Sequence, residues 1–265
     1  MFRRILIPTD FSTAAEWVFD DAVRIAGSCC AELVILHVRR TWSSHPDQLR
    51  FPADPSLYEY AEKQELDRLR DRVTRANADL GTRLIVRQAP DTGGEICRTA
   101  KAEKVDLIVI ATHARHHVAH LFVGSTTRAV LPDPPAPVLA IRYGTRRRQA
   151  MKKLAVPVHL EQKSHAALDL AYRVAQREEG EVHLVTVCPD SDRQRAETMQ
   201  RELTRADAPT RQTVIKGSDA PKEIIRYSEK AEIDAIFLNA KGDPSETKLD
   251  IIRHATVPVM ITPAQ

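Results

Sequence analysis

The groups in this 265-residue chain best suited to chemistry are a carboxylate, Asp10, and a Gly124-Ser125-Thr126 turn far from it in sequence. Asp10 follows the apolar run Ile5-Leu6-Ile7-Pro8 and Thr9. A second apolar run ends at Ala111-Thr112-His113-Ala114, and Gly124-Ser125-Thr126 then opens a short helix. N–H groups at a helix start have no intrahelical partner and sit at the positive end of the macrodipole, so they suit a phosphate. A carboxylate a sugar's width away suits ribose hydroxyls, and the two together point to a nucleotide. Taken singly, Asp10 is also a helix-start residue beside Ser12, and Gly124-Ser125 is also an ordinary helix N-terminus.

Four of the ten histidines are His113, His116, His117 and His120, a spacing at which imidazoles can bind zinc. No cysteine or carboxylate stands near them in sequence, which weighs against a metal site and leaves them as protonatable groups beside a phosphate, with Arg115 and Arg128 as further phosphate contacts. No catalytic base is evident, and any ATP hydrolysis is expected to be slow and incidental. The four cysteines, Cys29, Cys30, Cys97 and Cys188, form no CxxC pair and are too few for a disulfide scaffold. Cys29-Cys30 is expected to pack at the turn into the second strand.

The elements that must position these groups are strands and helices in alternation. Strand-length, nearly all-apolar runs lie at Ile5–Pro8, Leu33–Val38, Leu84–Arg87, Leu107–Ala111 and Val138–Ile141, as parallel strands covered on both faces should be. A helix is expected over Ser12–Gly27, with a capping box from Thr13 to Glu16 and a stop at Gly27. Leu66, Leu69, Val73, Ala76 and Leu80 recur at helical spacing, with Gly81 closing that helix. Glu95–Glu103 and Thr126–Leu131 complete the set, before Pro132-Asp133-Pro134-Pro135. The alternation predicts an α/β fold, a doubly wound parallel sheet of order 3-2-1-4-5 with helices on both faces. In that order the winding reverses between the first and fourth strands, where ligands bind beyond the carboxyl ends.

The chain then repeats itself. At a shift of 149, Ile5-Leu6-Ile7-Pro8 falls on Leu154-Ala155-Val156-Pro157, and Ala31–Val38 falls on Gly180–Val187. At a shift of 128, Glu95–Arg98 falls on Glu223–Arg226, and at 121 Pro137–Ile141 falls on Pro258–Thr262. Blocks in one order indicate a duplicated domain, the second copy having lost 21 residues after its second strand and 7 after its fourth. The expected domains are 1–143 and 151–265, joined through Tyr143–Ala150 with its Arg146-Arg147-Arg148 hinge.

Pro8-Thr9-Asp10-Phe11-Ser12, the His37-Val38 strand end, Leu107–His113 and the Gly124-Ser125 turn together resemble the universal stress proteins, over almost the whole of both halves. The family's nucleotide-binding pattern, G-x2-G-x9-G-[ST], keeps its spacing here as Ala111-Thr112-His113-Ala114, nine residues, then Gly124-Ser125, with alanine at two glycine positions. The resemblance implies that Asp10 holds the ribose, that Val38 borders the adenine through its backbone, and that Gly124, Ser125 and Thr126 cradle phosphates. The candidate cofactor-binding set is Pro8, Thr9, Asp10, Val38, Ala111, His113, Ala114, Arg115, Gly124, Ser125 and Thr126, for an ATP-like adenine nucleotide, with or without Mg²⁺. Trp42 and the Ser43–Pro55 segment are candidates for a flap over the base, or a plain surface loop.

The second copy departs further: His159 replaces Asp10, and Ser245-Glu246 stands where Gly124-Ser125 did, putting a negative charge where a phosphate would go. It is expected to be structural, its last strand Val259-Met260-Ile261 pairing with Val138-Leu139-Ala140-Ile141 within the chain. Such pairing of last strands is common in the family, which also makes a homodimer a candidate assembly.

A net charge of +3 is too mild to imply nucleic acid or an acidic membrane as partner. No apolar run approaches the roughly 20 residues of a membrane span, and the N-terminal apolar stretch is too short for a secretion signal. The expected compartment is the cytoplasm, with reduced thiols. The leading expectation is a nucleotide-responsive stress regulator acting on an unknown regulatory protein. The alternatives are an interaction scaffold in which Ala114 has closed the site, and an adenylating enzyme, for which two small copies leave no separate substrate domain.

Overall fold

The computed structural model describes residues 1–40, 55–112, 123–145, 150–161, 165–240 and 246–263. In the first repeat the elements are β1 (Arg4–Thr9), α1 (Thr13–Cys29), β2 (Glu32–Arg40), α2 (Pro55–Ala76), β3 (Thr82–Ala89), α3 (Thr92–Ala102), β4 (Leu107–Ala111), α4 (Ser125–Val130) and β5 (Val138–Ile141). In the second they are β6 (Lys153–Pro157), α5 (Ala166–Glu178), β7 (Glu181–Cys188), α6 (Arg193–Leu203), β8 (Thr210–Lys216), α7 (Ala220–Lys230), β9 (Ala235–Asn239), α8 (Glu246–His254) and β10 (Val259–Thr262).

All ten strands form one sheet of order β3-β2-β1-β4-β5-β10-β9-β6-β7-β8. Each repeat thus has the expected 3-2-1-4-5 order, and the expected pairing of last strands is present: β5 and β10 run antiparallel, with Val138 opposite Ile261, Leu139 opposite Met260 and Ala140 opposite Val259. The other strand pairs are parallel. Successive strand side chains point to opposite faces, so apolar runs supply two cores. Ile5, Ile7, Leu33, Ile35, Leu107 and Val109 face α1 and α2, in a core that continues through Leu154 and Val156 to α5. Leu6, Val34, Leu36, Ile108 and Ile110 face α3 and α4, in a second core that continues to α7 and α8.

Each repeat pins its first strand with the same device. The Asp106 carboxylate accepts from the N–H groups of Arg3 and Arg4 at 2.8–3.1 Å, and Asp234 accepts from Lys152 and Lys153 at 2.9 Å. Both lie at the amino ends of the strands, opposite the expected site. Across the seam between repeats, Arg177 of α5 donates to the Ser28 carbonyl and to Cys29 Sγ in the last turn of α1.

Several helix ends differ from expectation. The N-cap of α1 is Ser12, whose Oγ accepts from Ala15 N at 3.3 Å; Thr13 is already helical, and Glu16 turns to Arg68 and Arg72 of α2 instead of closing a capping box. Nor does α1 stop at Gly27. It runs to Cys29, and exposed Cys30 takes the left-handed conformation (φ 51°) and donates to the Ala26 and Gly27 carbonyls. Cys29 packs at the edge of the core, but Cys30 does not. Helix α2 ends at Ala76, since Asn77 Oδ1 accepts from Asp79 N at 3.1 Å in a turn that competes with further helix. Leu80 is buried from that turn, and Ala76 is exposed.

Candidate functional site

β1 matches β2 in register over six residues, Arg4 opposite Glu32 through Thr9 opposite His37. Its register with β4 covers only Ile5 opposite Leu107 and Leu6 opposite Ile108. Beyond these pairs the carboxyl halves of β1 and β4 are not laddered together, and this is where the winding direction reverses. A crevice belongs at such a place.

Two predicted groups border it. Asp10, the first residue past β1, is exposed, and its Oδ1 accepts from Ser12 N at 3.1 Å. Thr9 before it is buried and Pro8 half-buried. On the β4 side, Gly124 is the N-cap of α4 and donates its N–H to the Thr112 carbonyl at 3.0 Å. Thr127 Oγ1 donates to the Ala111 carbonyl at 3.2 Å. These bonds fasten the start of α4 to the end of β4. Among the described residues no side chain caps α4, and its first-turn donors, around exposed Ser125 and half-buried Thr126, suit an anion. Half-buried Val38 follows His37 near the end of β2. The structure therefore brings Pro8, Thr9, Asp10, Val38, Ala111, Gly124, Ser125 and Thr126 to the carboxyl edge of neighbouring strands. His113, Ala114 and Arg115, with His116, His117 and His120, lie outside the described residues, as do Trp42, residues 43–54 and Arg146–Arg148. Among the described residues no group of three or more His, Cys, Asp or Glu is placed to hold a metal ion, and no helix is long and apolar enough to cross a membrane.

Sequence reasoning missed a polar cluster beside Asp10. His37 is buried, its Nδ1 2.9 Å from the Thr9 carbonyl and its ring stacked on Phe11 at 4.5 Å between centroids. Its Nε2 lies 3.5 Å from Oε2 of Glu62, a buried carboxylate on α2. Arg39 donates to both Glu62 oxygens at 2.9 and 3.0 Å and to Glu59 at 3.0 Å. Hydrogen bonding to Glu62 is the largest cause raising the Arg39 pKa above its ordinary value, so this guanidinium stays charged. One signal was available: Glu62 falls on the same helical face as Leu66, Leu69 and Val73.

The equivalent place in the second repeat carries different side chains with partners of their own. At the end of β9, where the first repeat has Ala111, buried Asn239 accepts through Oδ1 from Ala167 N at 2.9 Å. His159 repeats the Asp10 turn in weaker form, its Nδ1 accepting from Glu161 N at 3.3 Å. Exposed Glu246 begins α8, while Ser245 lies outside the described residues. Thr186, at the position of His37, bonds Gln200 of α6 at 2.9 Å.

Comparison with known proteins accords with this arrangement. The model of the universal stress protein family matches residues 1–142 and again residues 151–263. A universal stress protein of Thermus aquaticus is 32% identical over 146 residues, which cover 54% of this chain and 100% of that one. One of Methanocaldococcus jannaschii is 25% identical over 157 residues, 54% of this chain and 96% of that one. The solved structure of a universal stress protein from Archaeoglobus fulgidus has a TM-score of 0.77 at 20% identity, covering 98% of this chain and 96% of that chain, and so shares the fold. With its domain matched twice in one polypeptide, the chain belongs to the universal stress protein family as a tandem member.

Proposed function

We propose that this protein is a stress-response regulator whose first repeat, residues 1–143, binds an adenine nucleotide between β1 and β4, and whose second repeat, residues 151–265, is structural. The carrying observation is the Gly124 N–H bond to the Thr112 carbonyl, which sets the uncapped start of α4 beside the strand next to Asp10. Asp10 receives the ribose hydroxyls, the Val38 backbone borders the base, and Gly124, Ser125 and Thr126 donate to phosphate oxygens. His113, Ala114 and Arg115 stand between Thr112 and Gly124 in the sequence and are candidates for further phosphate contacts. A Mg²⁺ ion, where present, would come with the phosphates. The regulatory output is a change in the surface offered to a protein partner on ligand binding.

Thermal unfolding with ATP, ADP, AMP and Mg²⁺ tests this reading, because a ligand that binds only the native state stabilises it by about 2.7 kcal/mol at a hundredfold excess over Kd. The wild type should show a ligand-dependent rise in Tm, Asp10→Ala should lose it, and His159→Ala should keep it. Absence of any rise at millimolar nucleotide would sink the proposal.

A further inference from the structure

The turn that presents Asp10 is held from behind by a cluster of side-chain contacts. Thr9 Oγ1 accepts from Phe11 N at 3.0 Å, and Phe11 sits at φ 57°, a left-handed conformation that non-glycine residues adopt only with local support. That support is the His37 ring, which stacks on Phe11 and meets the Thr9 carbonyl through Nδ1. A carbonyl only accepts, so Nδ1 carries the proton and donates it. His37 thus grips the residues on both sides of Asp10 in sequence, while its Nε2 faces Glu62 Oε2 at 3.5 Å without a hydrogen bond and Arg39 neutralises that carboxylate.

The second repeat supplies an internal comparison. At the shift of 149, Thr9, Asp10, Phe11 and His37 become Val158, His159, Leu160 and Thr186. The copy without the carboxylate has also lost the hydroxyl, the aromatic ring and the imidazole, and Thr186 bonds Gln200. The imidazole and the exposed carboxylate are thus absent together from the second copy.

From this we infer that His37 is a positioning residue for nucleotide binding: through Thr9 and Phe11 it fixes the backbone that aims Asp10 into the crevice. The inference rests on the nucleotide reading of that crevice. Its test is ATP affinity by titration calorimetry, with Tm measured in parallel, on the full chain and its variants. His37→Thr, which installs the second repeat's residue, should weaken ATP binding about tenfold, the worth of one well-placed hydrogen bond. His37→Asn, whose amide N–H can reach the Thr9 carbonyl, should stay near wild type. Phe11→Leu, again the second repeat's residue, should weaken binding without touching the ligand, and it stands in if His37→Thr fails to fold. Folded His37→Thr and Phe11→Leu variants that bind ATP like wild type would overturn the inference, and so would a His37→Asn loss equal to that of His37→Thr. If wild type binds ATP and Asp10→Ala abolishes it, such a result leaves the nucleotide reading standing. If wild type binds no nucleotide, the reading itself has failed.

Discussion

Asn239 Oδ1 accepts a hydrogen bond from Ala167 N across the mouth of the second repeat's crevice, at a position the first repeat gives to Ala111. The side chain at this position is thus tied to the start of α5 in one repeat and is a bare methyl group in the other. Exchanging the two residues is a direct probe. Ala111→Asn should abolish the nucleotide-dependent rise in Tm while leaving far-ultraviolet circular dichroism unchanged. Asn239→Ala should destabilise the protein by about 1–2 kcal/mol, since it strands a buried N–H near the start of α5; urea titration reads this, and a loss below measurement error would show that Asn239 does not cap the helix.

Glu62 is a buried carboxylate held by Arg39 from β2. Removing the cation is expected to cost more than removing the charge it neutralises. Arg39→Ala leaves an uncompensated buried anion and should cost about 2–4 kcal/mol, while Glu62→Gln, which keeps the shape and a hydrogen-bonding oxygen, should cost less. The two midpoints in urea decide it, and a reversed order would mean that water already reaches Glu62.

A Cβ on Gly93 would overlap the Ala129 Cβ, where α3 crosses α4. Gly→Ala in a helix ordinarily gains up to about 1 kcal/mol, but this overlap should outweigh that gain and cost about 1–3 kcal/mol. Because α4 carries the Gly124 turn, Gly93→Ala should also weaken any nucleotide response. A stabilised variant would show that the two helices slide apart freely.

Burial pushes the Cys188 and Cys97 thiols above their ordinary value of 9.0, so both hold less thiolate than an exposed thiol at any given pH. Exposed Cys30 should react with a thiol reagent at pH 8 well before either of them. The linkage has a definite sign. Folding favours the protonated thiol, so this stabilisation is complete below the unfolded pKa and is lost as pH rises through the folded one. Stability should fall above about pH 9, and Cys188→Ala should reduce that fall.

Much of this fold could be read from residues alone because the strands are buried on both faces. Ile5–Pro8 and Leu107–Ala111 are uniformly apolar over strand length, as covered parallel strands are, and the resemblance to the family supplied β5 and β10 as partners. Helix ends were less legible. The α1 stop depends on Cys30 accepting a left-handed backbone, which composition does not announce, and the α2 stop depends on an Asn77 side chain competing with the helix. Polar interior groups were least legible. His37, Glu62, Gln200 and Asn239 are hidden from a method that follows hydrophobic spacing, because each is buried for a hydrogen bond made with a distant element. The Asp10 and Gly124 placements were legible because strand order alone brings them to one edge.

The antiparallel join of β5 to β10 has a consequence for how the molecule can respond. The β5 edge is covered internally by the last strand of a repeat that has diverged in sequence, so the two halves of the pair are unequal. On the proposed reading one polypeptide carries one nucleotide site, so its dose–response should be a plain hyperbola with a Hill coefficient near one, graded in proportion to ligand instead of switching sharply at a threshold.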